Sequence, residues 1–385
     1  MENYFLNKKI GIIGGGQLGQ MMLLEAKKMG FYAVVLDPSE QCPCHSICDE
    51  HIVASFDDEQ AFQLLAEKTD VITYEFEHIN AKALEKLEAQ GYKVYPTPAS
   101  LEIIQDKLTQ KETLLKAGLP VPEFMPVKSK EDMAKAGEIY GYPYMLKART
   151  GGYDGKGNAV VKSYDHIDEA YRELGNGTIK LMAEKMIKFK METSILACRS
   201  LNGDIAVYPV GDNIHIDSIL HKTKVPANIP DEASKSAMKA ASKVMEIFDG
   251  IGMFCVEMFV TNDNKILVNE IAPRPHNSGH YTIEGCITSQ FENHIRAVVG
   301  LPLGDTSLIS PTVMINILGE EGYSGKALVS GLDKALALKG TTVHIYGKTE
   351  TKPKRKMGHI TVTSNSVLKA EAIADEAFNY IKIRS

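Results

Sequence analysis

The chain has 385 residues, of which 44% are hydrophobic and 24% are charged, and its net charge is −6. This length and composition indicate two or three globular domains rather than a disordered chain. The negative charge argues against a broad surface for nucleic acid or for an anionic membrane. No apolar run reaches the length of a membrane span, and the first residues lead into a strand rather than a secretion signal, so we expect a cytoplasmic protein.

The first hundred residues predict a parallel α/β sheet. Short apolar runs alternate with helical patterns, as in βαβ units. The expected strands cover 9–14, 32–37, 70–77 and 93–96, with helices over 17–30, 59–69 and 81–91. One longer helix is expected from the cap TPAS to about Ala117, where a Gly and two Pro follow.

The rest of the chain predicts a small α+β unit followed by a larger one. Strands are expected within 123–129, 142–149, 158–163 and 180–187, with helices near 130–140 and 165–174. Antiparallel strands should follow over 191–226, then a helix at 231–248, a hairpin, a helix near 288–299 and a mixed tail from 311. The Pro-containing stretch after Ala117 is therefore a plausible domain boundary, and the small α+β unit should end near Lys188.

A first glycine cluster opens the chain. Gly14, Gly16 and Gly19 follow a strand and begin a helix, and Asp37 ends the next strand. This spacing satisfies the dinucleotide fingerprint, and N–H groups at a helix N-terminus favour an anion. The loop alone leaves three interpretations open: NAD, another phosphate ligand, or glycines that let the helix pack tightly on the sheet.

The segment VEMFVTNDNKILVNE, residues 256–270, predicts a hairpin with two facing carboxylates. If Thr261 pairs with Ile266, then Glu257 lies opposite Glu270. Such a pair repels, and burial would raise the pKa of one member, unless a divalent cation lies between them. Carboxylate oxygens suit Mg²⁺ shared with nucleotide phosphates, and Asn269 offers another oxygen. A magnesium site is favoured over the alternative that one or both Glu face solvent.

A second glycine cluster, TGGYDGKGNAVV at 150–161, lies between two predicted strands and is therefore not a Walker A loop. Its N–H groups can close over phosphates. Lys107 lies near a helix start, and a lone lysine of this kind is most often a solvated charge. Lys147 ends an otherwise apolar strand, where a point charge suits a phosphate.

The segment CPCHSIC, at 42–48, groups three cysteines with a histidine. It lacks the second ligand pair of a zinc finger, so a loop with reduced thiols is favoured over a metal site.

Five segments stand in the order seen in ATP-grasp ligases: DKLTQKE, GYPYMLKARTGGYDGKGN, AEKMIKFKMETS, VEMFV…VNEIAPRPHNSGHYT and KRKMGH. The chain resembles this family over essentially its whole length. RTGGYDGKGN and NEIAPRPHNSGH are specific to its N5-carboxyaminoimidazole ribonucleotide synthase branch, in purine biosynthesis. The resemblance implies an α/β and α+β ATP-grasp fold. A Rossmann-like pre-ATP-grasp domain would occupy 1–120, a central lid 121–188, and the C-terminal ATP-grasp domain with a mixed tail 189–385.

The resemblance also implies site residues, matched one by one. The implied ATP site consists of Lys107 and Lys147 at the phosphates; Gly152, Tyr153, Asp154, Gly155, Lys156, Gly157 and Asn158 in a mobile loop; Glu184, Lys185, Met186 and Ile187 at adenine; Glu192 at the ribose; His215 near the nucleotide; and Asn269 and Glu270. The implied magnesium ligands are Glu257 and Glu270. The implied contacts of the second substrate, 5-aminoimidazole ribonucleotide, are Glu75, Tyr153, Asp154, Lys156, Arg274, His276, Asn277, Lys348 and Arg355.

The implied reaction carboxylates this ribonucleotide with bicarbonate and MgATP through carboxyphosphate, releasing ADP and phosphate. Asp154, Lys156, Arg274 and His276 would be the catalytic residues, with Asp154 and His276 both candidates for the base. Lys156 stands where some relatives carry Arg. Relatives suggest a homodimer; no nucleic acid or membrane is expected as partner. The competing hypotheses are another ATP-grasp ligase, such as a formate-dependent transformylase or a biotin-carboxylase-like protein, an NAD-dependent dehydrogenase, and a nucleotide-binding scaffold without turnover.

Overall fold

The protein is represented by a computed structural model, which describes residues 8–152 and 157–385. In these residues the strands form one four-stranded parallel sheet, one four-stranded antiparallel sheet, one nine-stranded sheet and two short ribbons. The fold is thus α/β followed by α+β, as the sequence predicts.

The first sheet is parallel throughout, which confirms the predicted βαβ alternation. Its strands are β1 (Lys9–Ile13), β2 (Tyr32–Leu36), β3 (Glu50–Ile52) and β4 (Val71–Tyr74), and its helices are α1 (Gln17–Lys28), α2 (Glu59–Lys68) and α3 (Ala81–Ala89). The strand order is β3-β2-β1-β4. The short β3 was not predicted, and the strand expected at 93–96 is reduced to one bridge between Val94 and Ile72.

The long helix expected to run to Ala117 is in fact two helices, α4 (Pro98–Gln105) and α5 (Lys107–Lys116). Asp106 between them has an extended backbone, and its carboxylate accepts the N–H groups of Leu108 and Thr109 at 3.0 and 3.2 Å. This N-cap is held by Arg149, whose Nη2 lies 2.5 Å from the Asp106 carboxylate. The break makes Lys107 the first residue of α5.

The second sheet is antiparallel, in the order β5-β8-β6-β7. Its strands are β5 (Phe124–Val127), β6 (Tyr144–Ala148), β7 (Asn158–Val161) and β8 (Leu181–Lys185), and its helices are α6 (Lys130–Tyr140) and α7 (Ile167–Glu173). Both helices pack on the sheet around a separate apolar core.

The largest sheet carries the rest of the chain and is antiparallel. Its strands are β9 (Phe189–Arg199), β10 (Ile205–Val207), β11 (Gly211–Ile216), β12 (Ile219–Val225), β13 (Gly252–Thr261), β14 (Ile266–Ala272), β15 (Thr312–Leu318), β18 (Thr341–Ile345) and β20 (Lys356–Thr363). The ribbons pair β16 (Gly325–Lys326) with β19 (Glu350–Thr351) and β17 (Leu328–Ser330) with β21 (Lys382–Arg384). The strand order is β14-β13-β9-β11-β12-β15-β20-β18, with β10 beside β9, so β14 is an edge strand.

Five helices accompany this sheet: α8 (Asp231–Ile247), α9 (Thr282–Gly285), α10 (Gln290–Val299), α11 (Leu332–Leu336) and α12 (Val367–Tyr380). Phe291 and Ile295 of α10 share a buried cluster with Met21 and Met22 of α1. This packing docks the first sheet against the largest one and brings the N-terminus of α1 to the cleft between them. No helix in the described part of the chain is long and apolar enough to cross a membrane.

Candidate active site

One cavity of about 790 Å³ lies where the three large sheets meet. Most of the residues expected at the site line it: Glu75, Lys107, Lys147, Gly152, Asn158, Glu184, Lys185, Met186, Ile187, Glu192, His215, Glu257, Asn269, Glu270, Arg274, His276 and Asn277. Gly157, Lys348 and Arg355 are not in its lining. The expected residues Tyr153, Asp154, Gly155 and Lys156 lie outside the described residues.

Glu257 of β13 lies directly opposite Glu270 of β14, as predicted, but by a different register. The turn pairs Val260, not Thr261, with Ile266, and the register shifts between Glu257 and Met258. Asn269 is therefore the extra residue of a β-bulge. In a regular strand Asn269 and Glu270 would face opposite sides, whereas a bulge can aim consecutive side chains the same way, and here both line the cleft.

The two carboxylates titrate differently. Burial, reinforced by the charge of Glu270, raises the pKa of Glu257 to about 7. Burial also acts against the ionised form of Glu270, but contact with Lys107 outweighs it and lowers the pKa of Glu270. Without a cation between them, the pair therefore stays only partly ionised near neutral pH.

The same hairpin meets the chemical requirements of Mg²⁺. The side-chain Oδ1 of Asn269 is buried and accepts no hydrogen bond, so this hard oxygen lies beside two carboxylates without a partner. Among residues 8–152 and 157–385, no group of three or more His, Cys, Asp and Glu side chains is arranged to hold a metal ion. Glu257, Glu270 and Asn269 are oxygen donors of the kind that a divalent cation accepts together with phosphate oxygens.

Three lysines gather at one end of the cleft, around Glu184 and Glu270. Lys107 begins α5 and contacts Glu270. Lys147 on β6 lies with its Nζ 2.6 Å from Glu184 Oε1 on the neighbouring β8. The other oxygen of Glu184 is 2.6 Å from the Nζ of Lys111, a lysine that the sequence analysis did not single out.

An apolar wall faces these charges. Phe189 and Phe259, on the paired strands β9 and β13, stack with ring centroids 4.7 Å apart and planes 12° from parallel. Both rings line the cleft together with Met145 and Ile187. A flat apolar surface next to backbone groups of the segment after β8 can receive a purine ring. The sequence predicted that segment but not the two rings, because the strand pairing that stacks them is long-range.

Glu192 and His215 form a further paired group in the lining of the cleft. His215 Nδ1 lies 2.5 Å from Glu192 Oε2. Burial acts to lower the pKa of His215, but the hydrogen bond to Glu192 and the charges of Glu192 and Glu257 together outweigh it and raise this pKa. The pair thus holds the Glu192 carboxylate at one position on the cleft wall.

Arg274 is less available than the sequence suggested. It was expected to bind the phosphate of the ribonucleotide, yet both oxygens of Glu77 accept hydrogen bonds from its Nε and Nη2. Its Nη1 donates to the carbonyl of Pro275 at 3.1 Å. Although burial opposes ionisation, Arg274 lowers the pKa of Glu77 to about 2. Glu77, which also lines the cleft, was missed because a lone carboxylate after a strand carries no local signal.

His276 presents an N–H rather than a lone pair to the cleft. Its Nδ1 accepts the backbone N–H of Ser278 at 3.3 Å and lies 2.8 Å from Ser278 Oγ. Its Nε2 therefore carries the proton in the neutral ring, and this atom is 3.4 Å from Glu257 Oε1. Burial, with the charges of Arg274 and Lys356, lowers the pKa of His276. Lys356 of β20 lines the cleft too and was not predicted.

The first glycine cluster already holds anions of the protein itself. Asp37 accepts the N–H of Gly15 at 2.8 Å, and Glu75 accepts those of Gly16 and Gly19 at 2.6 and 2.7 Å. A phosphate on these three N–H groups would meet two carboxylates, so the dinucleotide interpretation is wrong for this loop.

The glycines themselves have a packing reason. A Cβ on Gly16 would lie 2.5 Å from Glu75 Oε1, and one on Gly19 would lie 2.3 Å from the carbonyl oxygen of Gly14. The tight-packing interpretation therefore explains why these positions have no side chain.

The remaining expected residues lie beside the cleft. Lys348 donates to the carbonyl of Lys356 at 2.8 Å, and Arg355 donates to that of Glu350 at 2.6 Å. Burial and the nearby Arg355 lower the pKa of Lys348 to about 8.

In the cysteine loop, burial raises the pKa of Cys42 to about 11 and also raises that of Cys44, which keeps both thiols protonated.

Comparison with known proteins accounts for nearly the whole chain. Residues 7–105 match the ribonucleotide synthetase preATP-grasp domain, 112–291 the ATP-grasp domain, and 312–373 the phosphoribosylaminoimidazole carboxylase C-terminal domain. N5-carboxyaminoimidazole ribonucleotide synthase of Staphylococcus aureus strain COL is 44% identical over 364 residues, 94% of either chain.

Two solved structures are similar over almost their full length. The N5-carboxyaminoimidazole ribonucleotide synthetase of Thermotoga maritima superposes with a TM-score of 0.90 at 47% identity, covering 98% of this chain and 99% of that one. The synthase of Aspergillus clavatus, solved in complex with ADP and 5-aminoimidazole ribonucleotide, gives a TM-score of 0.90 at 37% identity, with coverages of 97% and 98%. The fold and the cleft thus define an ATP-grasp protein. Within that class, the chain belongs to the N5-carboxyaminoimidazole ribonucleotide synthase family.

Proposed function

We propose that this chain carboxylates 5-aminoimidazole ribonucleotide to N5-carboxyaminoimidazole ribonucleotide, using ATP and bicarbonate and releasing ADP and phosphate. The observation that most directly supports this proposal is the combination of groups in one cleft. The Glu257–Glu270 pair and an unpartnered Asn269 oxygen line it. Lys147, Arg274 and His276 line the same cleft. That combination supports phosphoryl transfer at one end and binding of a small second substrate at the other. Family membership supports the same function.

At the nucleotide end, we assign the adenine to the wall formed by Phe189 and Phe259, and the ribose hydroxyls to Glu192. Lys107 and Lys147 supply positive charge to the phosphates, and we assign the second glycine loop, 152–158, to the same phosphates. Mg²⁺ held by Glu257, Glu270 and Asn269 would neutralise charge on the transferred phosphoryl group. Bicarbonate oxygen attacks the γ-phosphorus, which forms carboxyphosphate and releases ADP. Phosphoryl transfer of this kind depends on positioning and charge neutralisation more than on covalent chemistry.

At the other end, the exocyclic amine of the aminoimidazole attacks the carboxyl carbon, phosphate leaves and the amine loses a proton. His276 suits the role of a hydrogen-bond donor to bound substrate oxygens, because its Nδ1 lone pair is used by Ser278. We therefore assign the base to Asp154 rather than to His276. Arg274, Asn277, Glu75, Lys348 and Arg355, with Tyr153 and Lys156 of the second glycine loop, are the proposed ribonucleotide contacts.

The test is phosphate release from MgATP and bicarbonate, with and without the ribonucleotide. We expect release that depends on the ribonucleotide, with one ADP formed per carbamate. Release that ignores the ribonucleotide would assign the cleft to another acceptor, and its absence under all conditions would favour a nucleotide-binding scaffold. A Glu270→Gln variant should lose turnover in the same assay.

We also propose that the enzyme requires Mg²⁺, acts as a homodimer and works in the cytoplasm. All six cysteines are free thiols, which fits a reducing compartment. The proposed domain limits at 120/121 and 188/189 fall between α5 and β5 and between β8 and β9. Size measurement in solution and limited proteolysis at these two junctions would test the assembly and the domain division.

A further inference from the structure

Lys111 is an unusual lysine because its charged end lies inside the protein. Its side chain is only 2% exposed, in the middle of α5. A buried ammonium group is costly unless it is paired and hydrogen-bonded. Its Nζ lies 2.6 Å from Glu184 Oε2 and donates to the backbone carbonyl of Asn269 at 2.9 Å. Glu184 and Asn269 both line the cleft. The proposed mechanism does not use the contacts that Lys111 makes with them.

The contact with Asn269 belongs to a larger pattern along β14. This strand is the edge of the largest sheet, and α5 with the residues after it covers the open edge. Gln110, also buried, accepts the N–H of Ile271 at 3.1 Å, and the carbonyl of Pro120 accepts the N–H of Val268 at 2.8 Å. Lys111 supplies the donor at the bulge itself, where the ladder is disrupted. This hydrogen bond restrains the backbone of Asn269, the residue whose side-chain Oδ1 has no partner.

The contact with Glu184 concerns charge. Glu184 is shared, since its Oε1 pairs with Lys147 and its Oε2 with Lys111. One carboxylate and one lysine would form a neutral pair and leave little field for a phosphate. Because a second lysine is present, the group of three keeps a net positive charge next to the cleft. Lys111 thereby leaves Lys147 able to attract an anion while Glu184 still holds it in place.

We propose that Lys111 is a positioning residue that couples the nucleotide pocket to the metal-binding bulge, by balancing the charge of Glu184 and by fixing the backbone of Asn269. This inference rests on the proposed function, because it takes the cleft to bind a magnesium nucleotide. It assigns no contact between Lys111 and the substrate. Lys111 acts through Lys147 on the phosphates and through Asn269 on the cation.

The experiment measures ADP binding by calorimetry, with and without Mg²⁺, in the wild type and in Lys111→Met, which keeps the chain length but removes the charge. We expect ADP affinity to fall about tenfold or more, because a charge-assisted buried contact is lost. The Mg²⁺ concentration that half-saturates the binding should rise as well. The KM for the ribonucleotide should stay within about twofold of the wild-type value.

The matched control is Lys222→Met. Lys222 is buried as well and pairs with Glu371 and Asp375, but it does not line the cleft. This variant should lose stability without a change in ADP affinity. Lys111→Gln separates the two parts of the proposal, because an amide can still donate to Asn269. Lys111→Gln should weaken ADP binding while its Mg²⁺ dependence stays closer to that of the wild type. If Lys111→Met does not fold, Lys111→Gln replaces it in the ADP titrations.

Equal ADP affinity and equal Mg²⁺ dependence in the wild type and the Lys111 variants would overturn the proposal, as would the same losses in Lys222→Met. Failure of the proposed function looks different. In that case the wild type itself would bind no nucleotide, or would turn it over without regard to the ribonucleotide.

Discussion

Arg274 and Glu77 join two sheets across the floor of the cleft. Glu77 follows β4 of the first sheet and Arg274 follows β14 of the largest one, and the two side chains meet through two parallel hydrogen bonds. The backbone carbonyl of Glu77 is held in turn by Gln105 Nε2 at 2.7 Å. Of the five N–H groups of a guanidinium, three are used here, and two remain for a bound anion. The ion pair thus fixes the direction in which Arg274 can offer those two groups.

Replacing Glu77 with Gln should destabilise the protein by about 3–5 kcal/mol, because it leaves a buried guanidinium without its counter-charge. Denaturant unfolding measures this loss. The double variant Glu77→Gln/Arg274→Gln should lose less than the sum of the two single variants, because neither charge then remains unpaired. Additive losses would mean that the two side chains do not act as a pair.

Acid should weaken the same contact. The pKa of Glu77 is lowered from 4.5 to about 2 by Arg274, in spite of burial. A carboxylate with a lowered folded-state pKa stabilises the protein fully above its unfolded pKa, and this contribution is lost as pH falls towards the folded pKa. The free energy of unfolding should therefore drop between about pH 5 and pH 2, and this drop should be smaller in Glu77→Gln. An identical pH profile in the variant would contradict the assignment.

Replacing Glu270 with Gln should abolish ATP turnover, with a loss of roughly a hundredfold or more, because the amide cannot balance the charge of a cation. Phosphate release under saturating MgATP measures it. Glu246→Gln, at an exposed position on α8, is the control and should behave as wild type. Near-normal turnover in Glu270→Gln would refute the magnesium site.

Removing one of the two stacked rings should weaken nucleotide binding. Phe259→Ala takes away half of the flat wall assigned to adenine, and we expect ADP to bind roughly three- to tenfold more weakly. Fluorescence or calorimetric titration with ADP measures the change. Phe378→Ala, whose ring packs edge-on against His221 and does not line the cleft, is the matched control. Equal losses in both variants would indicate general destabilisation instead.

The first glycine loop should accept neither NADH nor a side chain. Gly19→Ala should cost about 1–3 kcal/mol of stability, because the added Cβ would lie 2.3 Å from a backbone oxygen that cannot move away cheaply. Thermal unfolding measures that cost.

Titration of the wild type with NADH, followed by its fluorescence, should show no binding, and saturable binding would revive the dinucleotide interpretation.

Local patterns predicted three of the four strands of the first sheet and the pairing of Glu257 with Glu270, because apolar periodicity and turn residues are local signals. The bulge at Asn269 was not predictable, since Lys111, distant in sequence, supplies its hydrogen bond. The break in the helix at Asp106 was not predictable either, because Asp106 pairs with Arg149, which is distant in sequence. The local helix pattern alone predicts one continuous helix.

The residues of the candidate site also divide into those that local sequence motifs predict and those that only the fold brings together. Residues within recognisable motifs could be listed from the sequence, whereas the partners that restrain them could not. Glu77 and Lys111 have no motif of their own, and their importance comes only from what they contact. Phe189 and Phe259 form a wall because two strands place them side by side.

The carboxylates of Asp37 and Glu75 in the first glycine loop have a thermodynamic consequence. In a dinucleotide enzyme the corresponding turn acquires its anion only when the cofactor binds, so its rigidity follows cofactor concentration. Here the acceptor carboxyl groups are covalently part of the chain, so the turn has its hydrogen-bond partners whether or not a ligand is bound. The turn is therefore expected to be equally ordered with and without bound ADP. An ADP-dependent gain in protection from hydrogen exchange should appear around the carboxylate hairpin, 256–270, and not at residues 14–19.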